Sequence, residues 1–266
     1  MREYSRGKLT YPADKLSALS GLARDFQSRL DDEYAAGLWK GDLHLALLWH
    51  TQGEVSRPSE YRAPSWSWAS VDGAVAYPGF GPVLDRALDS NIAVFREAVA
   101  IPVVADDPFG PIKGGHLRVA SMIRKVVILA IPGPPTSWRW RFSIQRHKSG
   151  EQGATTTTDL RLMPEPGHGR AIVHSSVPIF DWSRELFFMY VVGITSSKTG
   201  GRVSMGLVLS PVAGEVGVVY EKLGTFVFKM RKGDRSNLIS GDEAGVLPSH
   251  CFESRDEEGR YVIRII

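Results

Sequence analysis

From about residue 60 onward the chain is divided into short β-branched and aromatic runs, each stopped by Gly, Pro or Asp. That texture excludes an all-α protein and predicts strands over 66–77, 91–104, 116–131, 137–145, 157–163, 185–196, 202–210, 215–229 and 260–266. The clearest is "SWRWRFSIQ". Trp138, Trp140, Phe142 and Ile144 fall on one face and Arg139, Arg141, Ser143 and Gln145 on the other, so a period of two fits where 3.6 does not. Residues 146–158 and 230–243 are polar and glycine-containing and read as surface loops, where insertions and specificity are tolerated.

The first fifty-five residues follow a different period. In "PADKLSALSGLARDFQSRL", Leu16, Leu19, Ala23, Phe26 and Leu30 recur at helical spacing and predict one covered face. Pro12 suits a first helical position, and Asp14 sits where the helix dipole favours a carboxylate. "DLHLALLWH" reads as a short helix buried on most sides with Asp42 as its N-cap, and "DDEYAAGLW" as one more helical turn. The expected fold is α+β. A helical segment over 1–55 packs on a β-rich, mainly antiparallel body over 56–266, a sandwich or distorted barrel, and the two make one unit over 1–266.

Of the 266 residues 43% are hydrophobic in type, enough for a substantial core, and the formal net charge is only +3. This is no polybasic chain. Cys251 is the single cysteine, so an intrachain disulfide is impossible and a thiol-based zinc site has no second ligand. "MREYSRGKLTYPADK" lacks the apolar stretch of a secretory signal, and the most apolar windows, 126–131 and 186–194, have strand length. A cytoplasmic location without membrane contact is expected.

Candidate chemistry is sparse. His44 and His50, six apart, and His168 and His174, around a Gly-Arg loop, match no zinc motif. "KTG" at Lys198–Gly200 with "SRGK" at Ser5–Lys8 superficially resembles the serine β-lactamase set, but the Ser-x-x-Lys pair stands ahead of the first helix and no Ser-x-Asn element lies between. A Gly-x-Ser-x-Gly elbow, a Walker A loop and a Rossmann glycine fingerprint are all missing from the sequence. Cys251 and His250 are sequence neighbours that would point apart on a strand. The stretch Trp138–Lys148 mixes aromatics and arginines, yet alternation puts them on opposite faces, whereas a nucleic-acid platform needs both on one. No catalytic, cofactor-binding or metal-ligating residue is assigned, no cofactor is expected, and nucleic acid is not the expected partner.

The specific words of the N-terminal part carry more. "EYSRGKLTYPADKLSALSGLARDFQSRLDDEYAAGLWKGDLHLALLWH" followed by "RPSEYRAPSWSWASVDG" resembles the segment after the HET domain in fungal heterokaryon-incompatibility proteins. The carriers are Tyr4, Ser5, Leu9 and Thr10, then Asp14, Lys15, Leu16, Ala18, Leu19, Ser20, Gly21 and Ala23, then Tyr34, Ala36–Trp39, Leu47–Trp49 and Arg62–Ser70. "GGHLRVASMIRKVVIL" and "GLVLSPVAGEVGVVYEKLGTFVF" resemble weaker blocks of the same family's β-rich tail. The resemblance implies a truncated, non-enzymatic recognition or regulatory region tied to fungal self/non-self discrimination and programmed cell death. The HET domain, similar to TIR-type folds, would lie upstream, and none of its motifs is found here. The alternatives are a TIR-like nucleotide-cleaving effector, should an upstream HET domain be encoded, and an inactive remnant. A protein partner is expected, either a HET effector domain or a second copy, on apolar faces that an absent HET domain would leave uncovered.

Within "APSWSWASVDG", alternation predicts a core strand with Trp66 and Trp68 on one face and Ser65, Ser67 and Ala69 on the other. Pro64 would stand at its entry and Asp72-Gly73 at its exit. An exposed aromatic platform is the competing reading.

Overall fold

The structure is a computed structural model that describes residues 2–7, 9–77, 90–131, 139–144, 158–161, 170–175, 184–195, 201–214, 218–230 and 246–266. Its N-terminal part holds α1 (Arg2–Arg6), 3-10 turns at Pro12–Lys15 and Ser17–Leu19, α2 (Ser20–Leu30) and a hairpin of β1 (Tyr34–Ala35) with β2 (Leu38–Trp39). After a 3-10 turn at Lys40–Asp42 come α3 (Leu43–Ala46) and β3 (His50–Ser56), which pairs with β4 (Asp72–Ala76). The next strands are β5 (Ser90–Asn91), β6 (Val94–Pro102), β7 (Ile112–Ser121), β8 (Ile123–Ile131), β9 (Arg139–Ile144), β10 (Thr158–Arg161) and β11 (Arg170–Ser175). The last are β12 (Leu186–Thr195), β13 (Arg202–Pro211), β14 (Val219–Met230), β15 (Ser254–Arg255) and β16 (Tyr261–Ile265). β5 to β16 form one 12-stranded sheet. Its described pairings are antiparallel, except that β14 meets β16 in parallel. The fold is α+β with a β-rich body.

Strand order decides the shape of that body. The ladder runs β12–β13–β14–β16–β7, and β7 continues through Met122 into β8, which pairs back onto β12. Among the described strands the circuit closes on itself through chain continuity at Met122, and closure of this kind removes free edges from the strands of the ring. Its junction is stitched: the Tyr190 N–H donates to the Met122 carbonyl at 3.0 Å and Ser121 Oγ donates to the Tyr190 carbonyl. β9 and β10 extend outward from β8, and β6 from β7. This is the distorted-barrel form of the expectation.

β12 and β13 are buried along most of their length, as their nearly continuous apolar sequences require of strands covered on both faces. One face joins the N-terminal part in a shared cluster that includes Leu16, Leu47, Trp49, Trp66, Trp68, Phe187, Met189, Leu207 and Ile263. The other carries Phe188 stacked on Phe226 at 4.5 Å and Tyr190 edge-on to Phe226 at 5.1 Å. Gly206 is obligatory there, because a Cβ would stand 2.0 Å from the Met189 carbonyl and 2.7 Å from the Phe226 ring.

Several local expectations give way. The 66–77 strand is confined to Asp72–Ala76, and residues 68–70 form a 3-10 turn. The supposed helical turn in "DDEYAAGLW" is the β1–β2 hairpin: Ala36 (φ 46°) and Gly37 (φ 91°) both take positive φ, the requirement of a type I′ turn. Segment 1–55 is therefore not wholly helical, and β3 begins inside it. Asp42 makes no side-chain cap bond, and α3 spans four residues rather than the length of "DLHLALLWH". Leu16 and Ala23 are buried as expected, but Phe26 and Leu30 are exposed. β11 was not foreseen. The loops 146–157 and 231–243 and residue Trp138 lie outside the described residues, as do Lys8, His168 and Lys198–Gly200.

Candidate functional site

The "SWSWAS" residues are held by their own serines. Ser67 Oγ accepts from the Ala69 N–H at 3.1 Å, capping the 3-10 turn, and donates to the Ala36 carbonyl at 2.6 Å. Ser70 Oγ donates to the Ser67 carbonyl at 2.7 Å. Alternating Ser and Trp here serves a turn, not a pleat: the polar positions satisfy backbone groups and both indoles go inward, each 0% exposed. Trp68 Nε1 donates to the Gly37 carbonyl at 2.9 Å, and a side chain on Gly37 would collide with that indole at 2.6 Å. The hairpin turn and the tryptophan turn thus require one another. Trp49 Nε1 donates to the Trp66 carbonyl at 2.8 Å, whereas Trp66 Nε1 finds no acceptor among the described residues.

Three buried cations complete this node. Arg62 donates to the carbonyls of Ala69 (2.6 Å) and Pro12 (2.9 Å) and to Asp72 Oδ1 (2.8 Å). Lys15 Nζ donates to the Val71 carbonyl and stands 3.5 Å from the same Asp72 oxygen. Burial, with Arg62 adding repulsion and Asp72 opposing both, brings the Lys15 ammonium down to about 8. Lys222 Nζ donates to the Trp49 carbonyl at 2.9 Å and lies 3.3 Å from the centroid of its ring. Burial pushes the Lys222 amine well below its ordinary range and Arg57 adds to this, but a neutral amine still offers N–H groups to a carbonyl and a ring face. Tyr4, edge-on to Trp68 at 5.9 Å, donates from its hydroxyl to the Lys15 carbonyl, and Ser5 Oγ accepts from the Val75 N–H. The residues that carry the family resemblance therefore converge in space, and what they build is scaffold.

The other candidates from the sequence separate. His44 Nε2 meets the Ala93 carbonyl at 2.8 Å and its ring packs edge-on to Phe95, while His50 is buried in β3. No cluster of three or more metal-ligating side chains occurs among the described residues. Cys251 is buried in a 3-10 turn beside an exposed His250, and burial pushes its thiol up, away from a reactive thiolate. β9 is a strand over Arg139–Ile144, paired with β8 and β10. No helix among the described residues is long and apolar enough to cross a membrane.

An open concavity, a cleft of about 670 Å³, lies beside the node, lined by 57–63, 65, 70, 184–185, 210–213, 221 and 266. Two arginines meet on one carboxylate at its wall: Arg57 donates to Glu221 Oε2 at 3.1 Å and Arg184 to Glu221 Oε1. Ser65 secures the floor, accepting from the Lys222 N–H at 2.9 Å and donating to the Ile266 carbonyl. Sequence reading missed this site, because it draws on four separate segments and no local pattern joins them.

A second surface is apolar. Leu22, Phe26 and Leu30 are 55%, 45% and 51% exposed, and their i, i+4, i+8 spacing makes one stripe along α2. Ala23 faces the core, and Arg24 is tied to Asp107 at 2.7 Å on the opposite flank. Against protein-family models, curated proteins and solved structures, no significant match to this chain is found.

Proposed function

We propose that the chain is a non-enzymatic recognition region of the heterokaryon-incompatibility type, working in the cytoplasm by docking a protein partner on α2. The carrying observation is the exposed Leu22–Phe26–Leu30 stripe, a contiguous apolar face on an otherwise ordinary surface helix. The resemblance supplies the biology, fungal self/non-self discrimination leading to programmed cell death, and the partner class, a HET-type effector domain or a second copy. The three buried cations support the non-catalytic part of the reading, since each is committed to carbonyl groups of the scaffold.

Sedimentation of the purified chain, alone and with a HET-type domain, tests this against the variant Leu22→Glu/Phe26→Glu/Leu30→Glu. The wild type is expected to self-associate or to bind the domain, and the variant to do neither while its unfolding midpoint stays put, because exposed positions carry little stability. A wild type that stays monomeric and ignores the domain would sink the proposal. So would cleavage of NAD by the chain above background.

A further inference from the structure

We propose that α2 docks a second copy of this chain: the two α2 helices pack antiparallel about a two-fold axis at Phe26, Leu22 of each against Leu30 of the other, with Asp25 of each facing Arg29 of the other. The inference rests on the reading of α2 as the docking face and names what docks there and in which direction. At about 100° per residue, Asp25 and Arg29 lie about 100° and 60° to one side of Phe26, and Ala23 and Gln27 about 60° and 100° to the other. The second flank belongs to the core, since Ala23 is buried and Gln27 donates to the Asp32 carbonyl at 3.4 Å. The first is a charged ridge beside the apolar one. Arg29 donates to both Asp25 oxygens, at 3.1 and 3.0 Å, and the two side chains are 70% and 53% exposed. Leu30 lies only about 20° around the axis from Ala23 and is still half exposed, so the body of the molecule does not overhang the apolar ridge at that end.

Charge selects the occupant and its direction. A two-fold axis perpendicular to both helices sets like flank against like flank with the sequence reversed, so an acid one turn before a base on one copy meets the base on the other. The surface of α2 is complementary to itself in this direction. With Leu22 opposite Leu30, Asp25 and Arg29 of the second copy are offset along the axis by two residues, about 3 Å, which an arginine side chain spans. A parallel pair would instead turn the charged ridge toward the Ala23 and Gln27 flank, which the core occupies. Leu22, Phe26 and Leu30 form an i±4 ridge, the kind that interdigitates with its equivalent in the commonest class of helix packing. The 11 residues of α2 span about 16 Å, too short to bury the roughly 800 Å² per partner of a standard interface, so the dimer is weak and concentration-dependent.

The test is sedimentation equilibrium of the full chain up to submillimolar concentration, with two charge reversals, Asp25→Arg and Arg29→Asp. Each reversal alone confronts four like charges in its own dimer and is expected to weaken self-association about tenfold. Their equimolar mixture opposes two arginines to two aspartates and is expected to associate at least as tightly as the wild type. A mixture no tighter than either variant alone would overturn the arrangement. Direction is read independently by mild oxidation: Phe26→Cys is expected to cross-link to itself, and Leu22→Cys only when mixed with Leu30→Cys, while the buried Cys251 stays out of the reaction. Leu22→Cys cross-linking to itself as readily would mean a parallel pair and overturn the proposal. A wild type that stays monomeric yet binds the HET-type domain through Leu22, Phe26 and Leu30 would sink the dimer and leave the docking face standing. A wild-type dimer that the triple glutamate variant leaves intact would sink both.

Discussion

Around Trp49, Trp66 and Trp68 the interior is fixed by directed polar contacts, whereas around Gly206, Phe188 and Phe226 it is fixed by contact of rings with bare backbone. Both regions are fully buried. In the first, indole N–H groups, serine hydroxyls and three cations each find a carbonyl, so a substitution costs whatever buried polar group it leaves unpaired. In the second, ring packing and close approach to backbone dominate, and volume decides. One sequence thus contains a core that specifies its geometry by hydrogen bonds and a core that specifies it by exclusion.

The largest test of the contrast is Gly206→Val. A Cβ placed 2.0 Å from a backbone carbonyl has nowhere to go, and the expected outcome is loss of more than about 4 kcal/mol, or no folded protein. Tolerance of valine in chemical denaturation would mean the rings yield and the second core is soft. Next comes Trp68→Ala, expected to cost about 3–5 kcal/mol, with Trp68→Phe losing about 1 kcal/mol of this through the Gly37 bond alone. Equal losses for Ala and Phe would show that the hydrogen bond, not ring volume, dominates the first core.

A third test uses pH. The folded Lys15 ammonium titrates at about 8, below its unfolded value near 10.5, so below pH 8 folding must bury a charge that the unfolded chain keeps hydrated. The unfolded state holds more protons between 8 and 10.5, and stability therefore rises with pH across that window, by up to about 3 kcal/mol. Lys222 contributes in the same direction. Opposing them, burial raises Tyr34, Tyr77 and Tyr190 to about 12, stability that is present below pH 10 and lost as pH climbs beyond it. Denaturation midpoints should climb from pH 7.5 to about 9.5 and then fall, and Lys15→Met should flatten the climb. A flat profile in the wild type would mean that water reaches Lys15. The smallest effect belongs to the surface. Arg24→Ala removes an exposed pair with Asp107 and a contact with the Phe109 ring, for an expected loss under about 1 kcal/mol by thermal melting.

How much could be read in advance divides along the same line. The long strands of the barrel were legible because apolar and β-branched residues there obey the pleat, as in Leu186–Thr195 and Arg202–Pro211. The burial of Trp66 and Trp68 was legible too, but not its cause. Ser-Trp-Ser-Trp has the period of a strand, and only the Ala36 and Gly37 carbonyls, some thirty residues earlier, make it a turn instead. Likewise Ala36 gives no hint of a positive φ, since nothing local asks for it until Trp68 is in place. α2 misled for a plainer reason: its apolar arc is wider than the strip that packs, and periodicity cannot say where packing stops. The cleft was invisible, because Arg57, Arg184 and Glu221 come together only once the sheet is built.

The closing of the strand circuit also imposes an order in time. β7 meets β16, the last strand, through Tyr261–Ile265, and Ile266 in turn bonds to Tyr220 and Ser65. A ribosome must therefore have completed residues 261–266 before the ring can shut, and until then β7 waits with one edge unpaired. Such long-range closure makes for slow folding, and nascent chains arrested before residue 261 should be the species that chaperones and proteases meet most often.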